Sequence, residues 1–401
     1  MSRVTLAGTP VVDCHCHGWD RAQKLALEPA NFLDRITLTG SCLTASADGR
    51  TLTSTSPEEL RRLTELTPFA LAMQERLARH LGVDPTWEAV SDARHRVLSQ
   101  DGDAHLAALW GDAGIAGLFV DDGSPRIPST ELEREAGIPV FRVARIEPWI
   151  DDLLPATTTL DELEERFCAI VEQACGEDVV AFKSIIGYIV GLDVRHWPRA
   201  DATAAYRRWR ETGFAEDREH SKPIRDTLLW RVLDIAREHD RPVHIHSGAG
   251  DSSIILEHAR PKDLFPLLKE RTDQVIVLVH SGWPWVEEGA YLAAVFPNVH
   301  LDTSVTTPWY ALALEQKLEV IMGLASGAKI MYGSDHNEPE AIWLSAVLAR
   351  EALERILARG VERGWFGPDA GRRIGESILG LNAVRLHGVE SRVMGSLGAV
   401  A

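Results

Sequence analysis

The amino-acid sequence predicts an α/β protein built as one (β/α)8 TIM-like barrel, with a helical insertion after strand 1 and an irregular insertion after strand 4. Three observations carry this prediction. Eight short runs of β-branched and apolar residues recur along the chain. Stretches with helical spacing of apolar residues follow most of them. The runs are also too continuously apolar for a sheet wetted on one face, which fits parallel strands covered by an outer ring of helices. A doubly wound open sheet is the alternative. It calls for a glycine-rich first turn, and the first run ends instead in Cys14-His15-Cys16-His17.

In chain order, the strands are expected at Pro10–His15, Gly117–Asp121, Pro139–Arg145, Val179–Ile185, Pro242–His246, Gln274–His280, Val299–Thr303 and Lys329–Ser334. Helical spacing marks Asp103–Ala113, Asp161–Cys175, Ile224–His239, Pro261–Thr272 and Trp283–Phe296. The segment 19–102 interrupts this alternation, with a hairpin-like Ser/Thr/Gly-rich loop at Ile36–Ser56 and helical periodicity at Pro57–Leu66, Phe69–Leu81 and Pro85–Leu98. A second interruption, Tyr188–Pro223, is irregular and rich in Trp and Arg. Both leave from strand ends, so both are expected as lids over the C-terminal face, where barrel active sites are built. Beyond Glu340, periodicity through Leu357 and at Arg372–Leu386 predicts C-terminal helices within 340–388 that close the barrel. No repeat, low-complexity tract or linker divides the chain, so 1–401 reads as one barrel with embellishments.

Composition narrows the class. Among 401 residues, 42 are Lys or Arg and 59 Asp or Glu, a net charge of −17, with 45% hydrophobic residues. That balance excludes a disordered chain, a disulfide-stapled mini-domain and a cationic nucleic-acid binder. The cysteines, at 14, 16, 42, 168 and 175, are odd in number and form no CxxC pair. Reduced thiols in a cytoplasmic setting are therefore expected. No basic leader opens the chain and no run of about 20 apolar residues occurs, so neither secretion nor a membrane partner is expected. The expected partners are a small-molecule substrate and further copies of the chain.

The chemistry concentrates at strand ends. In Val11-Val12-Asp13-Cys14-His15-Cys16-His17, strand alternation puts His15 and His17 on one side and the cysteines on the other. Two neutral imidazoles suit Zn²⁺ or another borderline divalent ion. Further imidazoles and a carboxylate close other runs: His244 and His246 the fifth, His280 the sixth and Asp335 the eighth. In a barrel these termini surround one mouth, and interior barrel positions otherwise favour Val, Ile and Leu. A shared metal site is the expectation.

These residues carry a resemblance. The chain resembles the amidohydrolase superfamily, specifically its amidohydrolase-2 branch, in VDxHxH at the first strand, His at the fifth and sixth, and Asp at the eighth. Phe182-Lys183-Ser184-Ile185, Arg145-Ile146-Glu147, His246-Ser247-Gly248-Ala249-Gly250-Asp251 and Gly333-Ser334-Asp335 resemble the amidohydrolase domain that plant nodulin-like and fungal proteins fuse to a glutamine synthetase. The resemblance implies His15, His17 and His246 as metal ligands, and Asp335 as both ligand and proton shuttle. His280 would bind a second metal or orient the substrate carbonyl. The implied cofactor is Zn²⁺, as one or two divalent ions, with Mn²⁺ as the alternative. His246 is chosen over His244 because it sits beside the small Ser-Gly pair at the strand end; His244 reads as a second-layer interior residue.

Unaided chemistry agrees with hydrolysis of a C–N (amide) bond, since a metal-bound water has its pKa lowered toward ~7 and a neighbouring carboxylate can carry its proton to a leaving nitrogen. A γ-glutamyl or N-acyl amide is the implied substrate class. Lys183 has three readings: a carbamylated bridge between two metals, a cation receiving a substrate carboxylate, or a structural partner of Glu147. Glu147 is either a substrate contact or a solvated loop carboxylate. Trp19, Trp149, Trp283, Trp285, Trp309 and Tyr310 crowd the predicted mouth, and Trp19 and Trp283, nearest the ligands, are expected to touch an apolar substrate portion. Asp121-Asp122-Gly123 reads as a turn. Arg195, His196 and Arg225 are eligible for a substrate carboxylate, with nothing in their spacing to select among them. Two rivals remain: a non-oxidative decarboxylase of an aromatic acid, and a non-catalytic regulatory barrel.

Overall fold

A computed structural model describes residues 4–26, 32–40, 56–215 and 217–400. Eight parallel strands form a single sheet in chain order: β1 Val11–His17, β2 Ile115–Asp121, β3 Val140–Arg145, β4 Val179–Ser184, β5 Val243–His246, β6 Ile276–Val279, β7 Val299–Asp302 and β8 Ile330–Met331. β8 is shorter than the sequence predicts. The seam between first and last strands is closed beyond it, where Cys14 N–H donates to Tyr332 O (2.9 Å) and Asp335 N–H to His15 O (2.8 Å). The chain thus folds as a (β/α)8 barrel.

Period-2 alternation sorts each strand into two faces. Leu118 and Val120 of β2, Val140 and Ala144 of β3, Phe182 of β4 and Ile245 of β5 join the large core between sheet and helices. Phe119, Phe141, Val143, Ala181, Val277 and Met331 fill the barrel interior, where Ala383, Val384, Val389 and Val393 plug its base. Two residues further along the inward rows stand Asp121, Arg145 and Lys183. Simple alternation therefore delivers charged side chains to one end of a packed apolar cylinder.

β1 departs from that alternation. Asp13 pairs with Leu118 but Cys16 with Val120, so β1 carries one residue more than its partner and bulges. Cys14 consequently joins the interior cluster, whereas Cys16 turns outward into the main core. The expectation that both cysteines face away from the histidines holds for Cys16 alone. Cys14, Cys16, Cys168 and Cys175 are free thiols, and Cys42 lies outside the described residues.

The helices follow the sequence reading with instructive differences. Ser129–Ala136 and Leu314–Leu324 complete the alternation. The segment between β1 and β2 contains Pro57–Thr64, Pro68–Leu81 and Trp87–Ala113, begun by Ser56, Thr67 and Thr86, whose side chains cap the first turn. Trp87–Ala113 joins two expected helices across a non-helical Asp101. Most of the expected hairpin-like loop, 41–55, lies outside the described residues. The second insertion is not irregular throughout. Arg199–Glu211 is helical, and the following helix runs Arg218–Glu238 through Pro223 instead of starting after it. Beside Pro223, the buried Lys222 Nζ meets Asp226 of the same helix at 3.1 Å and Asp193 at 3.1 Å. At the C-terminus, Pro339–Glu362 and Pro368–Glu376 are helical. Among the described residues no helix is long and apolar enough to cross a membrane.

The first insertion is tied to the barrel by charge. Glu338 and Glu340, fully buried just past β8, receive Lys24, Arg35 and Arg94, and Arg94 and His105, respectively. Three of these four donor residues, Lys24, Arg35 and Arg94, lie within the insertion 19–102.

Candidate metal centre

At the C-terminal ends of the strands the inward rows converge. Nε2 of His15 and Nε2 of His17 each lie 3.1 Å from the same atom, Asp335 Oδ1. His280 Nε2 stands 4.0 Å from Asp335 Oδ2 and 3.1 Å from His246 Nδ1. Atoms of His15, His280 and Asp335, and separately of His15, His17 and Asp121, fall within 4.8 Å of one another. Two atoms that each sit about 2.1 Å from one ion stand about 3.0–3.5 Å apart at tetrahedral or octahedral angles, so the Asp335 contacts have the spacing of a ligand shell.

Protonation and unmet bonding fit a cation as well. Burial pushes the His15, His246 and His280 imidazoles down, His280 to about 4, which leaves them neutral at pH 7. Asp335 goes the other way: burial raises it, but His280, His15 and His17 together hold its carboxyl well below the usual range. Neutral imidazoles beside an ionised carboxylate are the forms a divalent ion requires. The buried His246 Nε2 has no hydrogen-bond partner. Of the four expected ligands, the structure gathers His15, His17 and Asp335 directly and joins His246 to them through His280. His244 lies one layer deeper, where its Nε2 meets His387 Nε2 at 2.9 Å.

Local backbone aims these groups. His280 and Asp335 adopt left-handed conformations, with φ of 65° and 58°, a strain of about 1–2 kcal/mol each for residues bearing a Cβ. Asp302 accepts the His280 N–H (3.0 Å), and Ser304 Oγ lies 2.8 Å from His280 Nδ1, which fixes the ring. Asp13, pushed up to about 7 by burial, accepts N–H groups of both His15 (3.1 Å) and Ser334 (3.0 Å) and so joins the two halves of the site. Gly248, at φ 90°, lets the chain leave β5 where a Cβ would collide with the Trp283 carbonyl.

The remaining candidates are placed as follows. Lys183 Nζ lies 3.2 Å from His15 Nε2 and 3.9 Å from Asp121 Oδ2. Glu147 bonds Ser184 Oγ (2.7 Å) and Ile185 N–H (2.9 Å) and not Lys183. Pairing with Glu147 is thus replaced by contact with Asp121, which is forked by Arg145 at 2.9 and 2.6 Å. Asp121 is more than a turn residue. It accepts the Gly123 N–H (3.0 Å), as a turn requires, and it also stands among His15, His17 and Lys183. Its signal was available, since it ends β2 as the histidines end their own strands.

Above this cluster opens a cavity of about 1200 Å³, which His15, His17, Lys183, His246, His280 and Asp335 line together with Arg145, Tyr188, Trp209, Phe214, Arg225 and Trp309. Trp19, Trp283 and Glu147 are not among its lining residues. Trp19 is buried in the core, with its ring 6.3 Å from Trp110; Trp283 packs edge-on to Tyr310; Glu147 supports the turn after β4. Its aromatic walls come from the second insertion and from Trp309 instead.

Known proteins share this architecture. A structure from Lactobacillus casei ATCC 334, provisionally assigned as a metal-dependent hydrolase, superposes with a TM-score of 0.79 at 22% identity, covering 98% of this chain and 99% of that one. Uronate isomerase from Thermotoga maritima gives a TM-score of 0.65 at 14% identity, with 94% of each chain covered. Protein fluG of Emericella nidulans is 29% identical over 248 residues, 59% of this chain; the aligned stretch spans only 29% of fluG. Residues 12–389, nearly the whole barrel and every strand-end donor described above, match the model of the amidohydrolase family, and the chain belongs to that family.

Proposed function

We propose that the protein is a metal-dependent hydrolase of C–N bonds that acts on an amide whose acid portion is small and charged. One observation carries this reading: neutral imidazoles and an ionised carboxylate from four strand ends meet at the floor of a large cavity that also holds cations. His15, His17 and Asp335, with His246, would hold the ion. Zn²⁺ suits such a set, and Mn²⁺ is the alternative. When bound, the ion supplies Lewis acidity to a carbonyl oxygen and to water.

The side chains do the rest. Asp335, held ionised by its imidazole neighbours, accepts a proton from the attacking water and passes it to the leaving nitrogen, which needs no covalent intermediate. His280, its ring fixed by Ser304 and its N–H by Asp302, faces Asp335 and stabilises charge developing on the carbonyl oxygen. Lys183 would receive a substrate carboxylate as a cation or, if carbamylated, would help hold a second ion. A metal-to-protein ratio near two after reconstitution assigns it the second role, and a ratio near one rules that role out.

Non-oxidative decarboxylation of an aromatic acid is the second reading, favoured by the aromatic walls Tyr188, Trp209, Phe214 and Trp309; there Asp335 would protonate a ring carbon. The test is a screen of metal-reconstituted protein against N-acyl amino acids, γ-glutamyl amides and aromatic acids. Release of amine from one of the amides is the expected result. Carbon dioxide released without amide turnover assigns the lyase reaction, and no turnover, with metal content unchanged in His17→Ala, assigns a non-catalytic barrel.

A further inference from the structure

Resting on that reading, we propose that Arg225 anchors a carboxylate at the end of the substrate remote from the imidazoles, so that the site selects amides with a second, anionic end. Arg225 lies on the helix Arg218–Glu238 and lines the cavity. Its side chain is only 8% exposed. Nη2 donates to Asp151 Oδ1 at 2.7 Å, and Asp151 faces solvent. Nε and Nη1 are buried with no acceptor at all.

That state is costly for a guanidinium, because a buried charge is tolerated when its donors are met. Nothing on its own helix supplies the missing acceptors. Asp226 is already engaged by Lys222, the Trp197 indole and the Arg195 N–H. Glu147 spends Oε1 on Ser184 and Ile185, and its buried Oε2 bonds neither Arg225 nor any other donor. The other cavity cations are provided for: Arg145 by the Asp121 fork, Arg218 by Val190 O and Asp193, Arg35 by Glu338, and Lys183 by His15 and Asp121. Among the described residues, Arg225 is the cavity cation with two buried donor nitrogens left over.

The surroundings suit a carboxylate. The Trp209 ring lies 5.5 Å from the guanidinium, within cation–π range, and a planar guanidinium pairs with a carboxylate better than an ammonium does. The chain as a whole carries −17, so an anionic substrate needs local cations to enter. The structure also discriminates among the three residues that sequence left equivalent. Arg195 is 63% exposed and paired with Asp193, and His196 is 59% exposed and paired with Glu270; neither lines the cavity.

The test compares binding of glutarate with that of its neutral isostere glutaramide to the metal-free full-length protein by isothermal titration calorimetry. Wild type should prefer glutarate by about tenfold, the size of one charge-assisted hydrogen bond. Arg225→Gln should erase that preference, and Arg195→Gln should retain it, with thermal melts confirming that both variants fold. Should Arg225→Gln not fold, Arg225→Lys replaces it and should lose glutarate affinity at least threefold with glutaramide unchanged. No preference in wild type, an undiminished preference in Arg225→Gln, or a glutarate affinity in Arg225→Lys equal to that of wild type overturns the assignment. Because no turnover is read, failure of amide hydrolysis leaves this test standing.

Discussion

The loop after β8 carries two buried acidic groups that end in opposite states. At Glu338 and Glu340 every acidic oxygen has a cation: Lys24, Arg35 and Arg94 on the first, Arg94 and His105 on the second. Three residues earlier, Asp335 leans on imidazoles that are themselves incomplete, with His15 Nδ1, His17 Nδ1 and His246 Nε2 buried and unpartnered. Glu338 and Glu340 are fully buried, and Asp335 is 15% exposed where it borders the cavity. The difference teaches where to look for chemistry: a completed ionic network fastens the first insertion to the barrel, whereas an incomplete one is waiting for a ligand.

The largest effect should come from breaking the incomplete group. Asp335→Asn is expected to lower turnover by about 10⁴-fold, equivalent to about 5 kcal/mol, while the thermal midpoint stays near that of wild type. Activity retained within tenfold would remove Asp335 from the reaction. The converse holds for the completed network. Arg94→Ala leaves Glu338 Oε2 and Glu340 Oε2 buried without a donor and should cost about 3 kcal/mol in urea unfolding, and a loss below about 1 kcal/mol would mean that the network adds little to stability.

A third measurement sharpens the comparison at the barrel's base. His387 is pushed down to about 4, chiefly by burial, although its Nδ1 bonds the Ala383 carbonyl. Below pH ~6.5 the unfolded chain takes up a proton that the folded one refuses until about pH 4. Stability should therefore fall with pH across that window, by on the order of 3 kcal/mol from this group. His387→Gln should flatten the profile there, and parallel profiles for the two proteins would contradict the buried, neutral state. The smallest effect belongs to a pair that is complete but exposed. Arg126 meets Asp152 at 3.0 Å on the surface, and Arg126→Ala should change unfolding free energy by no more than about 0.5 kcal/mol.

How much of this was legible beforehand follows from the range of each signal. The eight strands and the residues at their tips could be read from sequence, because apolar runs and their termini are local patterns. The placement of His15 and His17 together was read correctly, but through an alternation that the bulge in β1 alters for Cys14. Asp121-Asp122-Gly123 reads as a turn, and it is one; the other neighbours of Asp121 come from β1 and β4, far away in the chain. Trp19 and Trp283 lie near the ligands in sequence, but that nearness says nothing about which face of a loop a ring will bury.

The sequence by itself determined the barrel and the set of donors at its mouth, since strand period, helix period and residue type are properties of short segments. Only the tertiary structure decided which charges are satisfied. Whether Arg225 or Arg195 faces the cavity, and whether Lys183 finds Glu147 or Asp121, depends on closure of the sheet and on the seating of two insertions. Electrostatic pairing in a buried site is fixed by distances of a few ångströms between segments far apart in the chain, and no local pattern encodes them.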